Sequence, residues 1–324
     1  MRRHRVPAPA LLAVLSALLV SGCGRPFAEG GSRELTVITT WPAGSPELLL
    51  LRAIVEREAI RIEREPAYLV TIASPRDGRA YRARNVLLCG SGPLDRVPNP
   101  CRRLSALLGG SRDPFAFTTD LWLRGQCAGI VWTEDRADWI SSVAAAQNRL
   151  FHALDRATYA TVRSRLLALP RDAEAERRLA RSLGIRLSIP RGYELRIDPA
   201  AKAALLIDEG PPARLLRLSA APPDTTTDLR RARESLARLF RPDERTLDVE
   251  DPELVPAEMS GELRQWNGRW EDDAATAAGP FRAYEVTRRG HRYLVDLAVF
   301  APGRPKLPYL RELTAIAETL EPAP

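Results

Sequence analysis

The sequence predicts an α+β fold with α/β elements in its first half. It reads as two sheet-plus-helix layers, the second an antiparallel sheet covered by the C-terminal helix. Three observations carry this expectation. Short β-branched runs alternate with helical patterns through the first half, as strands covered by helices do. From Ile185 onward, alternating apolar and polar segments follow one another and end in a hairpin. An amphipathic helix closes the chain.

The N-terminus reads as an export signal. Met1-Arg2-Arg3-His4-Arg5 is basic, and Ala8 to Val20 is apolar but too short for a permanent membrane span. The run ends in Val20-Ser21-Gly22-Cys23, which resembles the lipobox of bacterial lipoproteins. That resemblance implies removal of residues 1–22 and lipid (palmitate-type) attachment to Cys23. Each buried methylene contributes about 0.8 kcal/mol to such an anchor. By resemblance to Gram-negative lipoproteins, Gly24 in place of an acidic residue implies the outer membrane rather than retention at the inner one, with the protein facing the periplasm.

Cleavage there leaves 302 of the 324 residues, enough for two modest domains. Hydrophobic content of 45% and charged content of 27% are those of a folded chain. Loss of Arg2, Arg3 and Arg5 takes the formal charge from +7 to +4. Lys202 and Lys306 are the only lysines, so the positive charge is arginine. Solvated faces explain that excess more simply than phosphate or headgroup binding. No arginine–aromatic array suits nucleic acid, and none is expected as a partner.

Residues 23–33 read as a lipidated cysteine on a flexible tether, followed by a first domain over 34–183. Glu34–Thr40 is a strand, and Ser45-Pro46-Glu47 caps a helix running to about Glu58. Tyr68–Ile72 and Asn85–Cys89 are strands, a short helix lies near Arg102–Leu108, and Phe115–Trp132 carries further strands. One long helix starts near Asp138, with Trp139, Ile140, Val143, Leu150, Phe151, Leu154, Val162 and Leu166 on one face, and ends at Pro170. Ala173–Leu183 is helical and closes at Gly184.

A second domain covers 184–324. Ile185–Pro190 alternates as a half-buried strand, and Tyr193–Asp198, Ala203–Asp208 and Leu215–Leu218 follow as strands. Thr227-Asp228 caps a helix from about Leu229 to Phe240, and the acidic residues 241–258 read as a surface loop. Leu263–Trp270, Arg282–Thr287 and Tyr293–Ala301 form an antiparallel set turned at Arg289-Gly290. Leu310, Leu313, Ile316, Ala317 and Leu320 make one stripe of the closing helix.

Several segments are similar to an uncharacterised family of bacterial envelope lipoproteins, known as a domain of unknown function. They are Glu65-Pro66-Ala67-Tyr68, Arg84-Asn85-Val86, Gln126, Ile189-Pro190-Arg191-Gly192-Tyr193, Gly268-Arg269-Trp270, Gly279-Pro280-Phe281 and Tyr309-Leu310-Arg311-Glu312-Leu313. The chain departs from that family at 241–260, where only Met259 of a Tyr-Met pair is present. The resemblance brings no catalytic residues with it. The second half also resembles, at fold level, the PsbP/Mog1-type α+β fold.

Candidate chemistry is sparse. Among Cys89, Cys101 and Cys127, the pair Cys89–Cys101 closes the shortest disulfide loop, and Cys127 reads as a buried apolar residue. Gly90-Ser91-Gly92 lacks the spacing and the Lys-Ser/Thr of a phosphate loop and reads as a turn. Glu271-Asp272-Asp273 reads as a solvated turn rather than a cation site. Trp266 and Trp270 share one side of a strand and, with Phe281, form a candidate aromatic face for glycan or lipid, core packing being the alternative. His152 and His291 have no evident acid and nucleophile, and no metal or cofactor is implied. The expectation is a non-catalytic binding protein, with the membrane and an envelope protein or glycan as partners. The alternative is an envelope-polymer hydrolase.

Overall fold

The computed structural model describes residues 25–61, 63–109, 113–220, 229–250 and 263–323. Residues 1–24, which include Cys23, together with Thr227-Asp228 and Met259, lie outside the described residues.

The first half builds a five-stranded sheet in the order β4-β1-β5-β7-β6. Its strands are β1 (Glu34–Ile38), β4 (Leu69–Ala73), β5 (Asn85–Ser91), β6 (Phe115–Thr119) and β7 (Cys127–Thr133). All pairs are parallel except β6–β7. Parallel strands are covered on both faces, and the alternation of side chains shows it. Leu35, Val37, Leu87, Cys89 and Val131 face α1 (Pro46–Val55), α3 (Trp139–Ala145) and α4 (Gln147–Leu167). Ile38, Val86, Leu88, Ala128 and Ile130 face α2 (Arg102–Leu108) and the neighbouring turns. Helix α1 starts as its sequence predicts, with Leu48 N donating to Ser45 Oγ at 3.4 Å. The single long helix expected from Asp138 is two helices, broken at Ala146, and Ile140 is exposed. A small hairpin, β2 (Glu58–Ile60) and β3 (Glu65–Pro66), follows α1.

Helix α5 (Ala173–Leu183) leads into the second half and ends at Gly184 in a left-handed conformation, φ 66°. The second sheet is antiparallel and seven-stranded, ordered β12-β13-β14-β15-β11-β10-β9. It comprises β9 (Glu194–Asp198), β10 (Ala203–Asp208), β11 (Ala213–Ser219), β12 (Glu244–Val249), β13 (Leu263–Asp272), β14 (Ala278–Arg288) and β15 (His291–Phe300). Helix α6 (Leu229–Arg238) packs on one face and α7 (Leu307–Ala317) on the other.

Two local expectations need correction. Residues 244–249 are not loop but the edge strand β12, paired with β13 from Glu244–Asp272 to Val249–Gly268. Its inward positions are Glu244 and Thr246, so apolar alternation could not reveal it. Of Ile185–Pro190, only β8 (Ile185–Arg186) enters a ladder, against β16 (Glu321–Pro322). Leu187 and Ile189 are buried without strand partners, so the alternation reported burial rather than pairing. Among the described residues, no helix is long and apolar enough to cross a membrane.

Helix α7 does more than cover the sheet. Besides the expected stripe, Arg311, Thr314 and Ala315 are buried, because the opposite side of the helix packs against α4. The helix therefore lies between the second sheet and the helical layer of the first.

Candidate functional site

The residue chemistry that folding brings together lies where α4, α7 and the β2 hairpin meet. Leu150, Leu154, Val162 and Leu166 turn α4 toward the core, which leaves Asn148, Arg149, His152, Asp155, Arg156 and Tyr159 on its other side. Arg57 and Arg61 flank β2 on one side of that row. Glu250, Asn267 of β13, Arg282 of β14 and Arg311 of α7 close it from the second sheet. Together they line a cleft of about 1010 Å³.

Two carboxylates in this cleft are already held by arginines. Arg149 Nη2 lies 2.8 Å from Asp113 Oδ1, and Arg311 pairs closely with Asp155. Asp155 also sits 3.2 Å from the Tyr68 hydroxyl, whose oxygen is 3.0 Å from Thr158 Oγ1. Thr158 donates to Asn85 Oδ1 at 3.2 Å, and Asn85 Nδ2 donates to the carbonyls of Ser32 and Glu34 at 3.1 and 2.9 Å. Burial, with Asp155 adding to it, pushes the Tyr68 phenol far above its ordinary range, so it stays protonated as a donor. This chain of bonds fixes the floor of the cleft.

Arg57 is different. Its guanidinium lies 3.2 Å from the Phe151 ring centroid, and Nη1 donates to Asn148 Oδ1 at 3.2 Å. Burial lowers its pKa from the ordinary 12.5, with Asp155 opposing. Among the described residues, no carboxylate lies within ion-pair distance of Arg57, Arg61 or Arg156. His152 is held below its ordinary 6.5 by burial first and by Arg57 second, so its imidazole is neutral at neutral pH. The cleft thus presents partly dehydrated positive charge beside an aromatic ring and a neutral imidazole.

A second polar junction joins the same elements. The Glu65 carboxylate accepts Lys306 N at 2.8 Å and Leu307 N at 3.1 Å, placing an acid at the positive end of α7. Arg33 holds Glu65 from behind at 3.2 Å and donates to Pro66 O. Glu65, Tyr68, Asn85 and Arg311 therefore meet in one region.

Of the candidates singled out by sequence, His152 lines the cleft and the others fall elsewhere. Cys89 and Cys101 face opposite sides of the first sheet, and Cys89, Cys101 and Cys127 are all free thiols, so the expected Cys89–Cys101 bridge is not formed. Burial raises the Cys101 thiol to about 11 and Cys127 to about 12, and both stay protonated. Trp266, Trp270 and Phe281 do share a face of the second sheet, but α6 and Phe240 cover it and all three are buried. The candidate aromatic binding face is core. His291 is exposed at the hairpin turn. Gly90 serves packing, since a Cβ there would lie 2.2 Å from the Trp132 ring. Glu271 pairs with Arg245, and Asp272 accepts Thr276 N at 2.7 Å. Among the described residues, no group of three or more His, Cys, Asp or Glu side chains is placed to hold a metal.

Sequence reading did not single out Arg57, Arg149, Arg156, Arg282 and Arg311 as a group. Arg149, His152 and Arg156, spaced three and four apart on one helix, were the one local signal available.

The sequence model of a family described as a domain of unknown function (DUF4837) matches residues 240–319, from the end of α6 through α7. No curated protein matches the chain in sequence. Several solved structures share likeness with part of the chain. A crystal structure from Bacteroides thetaiotaomicron VPI-5482 is 8% identical with a TM-score of 0.24, covering 44% of this chain and 46% of that one. The Ran-binding protein Mog1p of Saccharomyces cerevisiae is 9% identical, with a TM-score of 0.27, and the likeness covers 43% and 90% of the two chains. LpqN, involved in cell envelope biogenesis of Mycobacterium tuberculosis, is 13% identical with a TM-score of 0.25, covering 43% and 83%.

Proposed function

We propose that this chain is a lipid-anchored, non-catalytic binding protein of the bacterial envelope, tethered through Cys23 to the outer membrane on its periplasmic face, and taking its ligand in the cleft between α4, α7 and the β2 hairpin. The observation that carries the reading is the cleft itself, large enough for a sizeable ligand and lined by preformed polar groups on rigid elements. Its lining includes His152 and Asp155 but neither serine nor cysteine, and Asp155 is committed to Arg311 and Tyr68. That arrangement favours holding a molecule over attacking one.

The second reading is an envelope-polymer hydrolase, favoured by a neutral imidazole beside Asp113 and Asp155 in one cleft. One experiment separates the two. A photo-crosslinking side chain is placed at Arg61 or Arg156 in the full chain and activated in intact cells. The binding reading expects covalent capture from both positions and none from a control at Arg103 on α2. Absence of capture from both cleft positions overturns it. Recovery of a captured glycan that is shortened in a His152-dependent manner shifts the assignment to the hydrolase.

A further inference from the structure

We infer that the ligand of this cleft carries oxyanion groups of the phosphate class, held by the guanidinium groups of Arg57, Arg61 and Arg156. The inference rests on the reading of the cleft as a binding site and names the chemistry of what it binds.

Six arginines and four carboxylates line the cleft: Asp113 and Asp155 pair with Arg149 and Arg311, and Glu58 and Glu250 leave the remaining arginines in excess. Arg57, Arg61 and Arg156 line the same cleft with no carboxylate in ion-pair range among the described residues. An exposed arginine in that state is unremarkable, because water solvates it. Arg57 is not in that state: it is half-buried, stacked on Phe151 and oriented by Asn148. A cation that has lost part of its hydration without gaining a counter-ion is costly, and an entering anion offsets the cost. Its orientation is also already set, so little further ordering is needed on binding.

Residue type narrows the class. The guanidinium is a planar fork that engages two oxygens at once, a match to phosphate or carboxylate oxygens that a point charge lacks. Three such groups around a cleft of about 1010 Å³ suit a ligand bearing more than one charge, or a phosphate attached to a larger body. The half-buried His152 in the lining beside Arg57 supplies contact for that body. Two sources offer this chemistry: a phospholipid headgroup and a soluble phosphate-bearing molecule.

The test titrates the detergent-purified full chain by calorimetry with inorganic pyrophosphate, and separately with soluble dihexanoyl phosphatidylglycerol. Saturable binding of either probe supports the inference, pyrophosphate alone pointing to a soluble source and the lipid alone to a headgroup. Arg57→Gln should weaken that binding about tenfold, the loss of one charge-assisted contact. Because Arg57 also packs on Phe151, the exposed pair Arg61→Gln and Arg156→Gln carries the test independently of folding. Arg103→Gln on α2 should leave affinity unchanged. Failure of both probes to bind, or binding indifferent to all three cleft substitutions, overturns the oxyanion assignment. Capture from the cleft in cells without binding of either probe overturns this assignment alone and leaves the binding-protein reading standing.

Discussion

Gly279 and Gly268 show how single residues shape the second sheet. They stand opposite Trp270 and Phe281 across β13 and β14. A Cβ at Gly279 would lie 2.0 Å from Val299 O, and one at Gly268 would lie 2.2 Å from Asp248 O. Both obstacles are backbone atoms of neighbouring strands, which cannot swing aside as a side chain can. Gly279→Ala should therefore cost about 1–3 kcal/mol of stability, as overpacking does. Thermal unfolding reads this as a midpoint several degrees lower, and an unchanged midpoint would show that the strands relax freely. Gly90 is a milder case, because its obstacle is the Trp132 ring. Its glycine-rich surroundings suggested a loop, whereas its physical role is to seat an indole.

At the scale of elements, α6 is fixed by charge as much as by apolar contact. Arg217 of β11 stands directly opposite Asp296 of β15, with Nη1 2.5 Å from its carboxylate, and also pairs with Glu244 of β12. Arg233 of α6 adds bonds to Glu244 at 2.5 Å, Asp296 at 3.1 Å and Thr246 Oγ1 at 3.0 Å. All four charged side chains are fully buried, and their formal charges cancel. Such a cluster adds little net stability over apolar packing, but removing one member strands the others. Asp296→Ala should cost about 3–5 kcal/mol in urea unfolding. A loss below about 1 kcal/mol would mean that water or rearrangement satisfies the two arginines. This cluster is also why β12 escapes a reading based on apolar alternation: its inward side chains are Glu244, one of the cluster's two acids, and Thr246, which accepts from Arg233.

For the molecule as a whole, α7 is the shared wall. It packs on the second sheet through Leu310, Leu313 and Ile316 and meets α4 on its other side, with Glu65 at its N-terminus and Asp155 on Arg311. The cleft exists because these elements converge, and it lies on a body that the proposed anchor would keep near a membrane. Cys23→Ala should abolish lipid labelling and move the protein from the membrane to the soluble fraction of lysed cells. A variant that still sediments with membranes and incorporates labelled palmitate would overturn the anchor. Anchoring and cleft binding are separable, so the same variant should retain affinity for any cleft ligand.

The amino-acid sequence alone determined the elements whose physics is local. Ser45-Pro46 started a helix, Gly184 ended one, and the 3.6-residue stripe of Leu310, Leu313, Ile316 and Ala317 placed the closing helix. Periodicity and caps act over a few residues, so they are written in neighbours. The tertiary structure decided what depends on distant partners: the buried edge strand β12, the separation of Cys89 from Cys101, the covering of Trp266, Trp270 and Phe281, and the cleft. An isolated Arg57, Arg156 or Arg311 reads as surface charge. Only the approach of α7 to α4, more than a hundred residues apart along the chain, makes one of them the partner of Asp155 and sets the others in the lining of the same cleft.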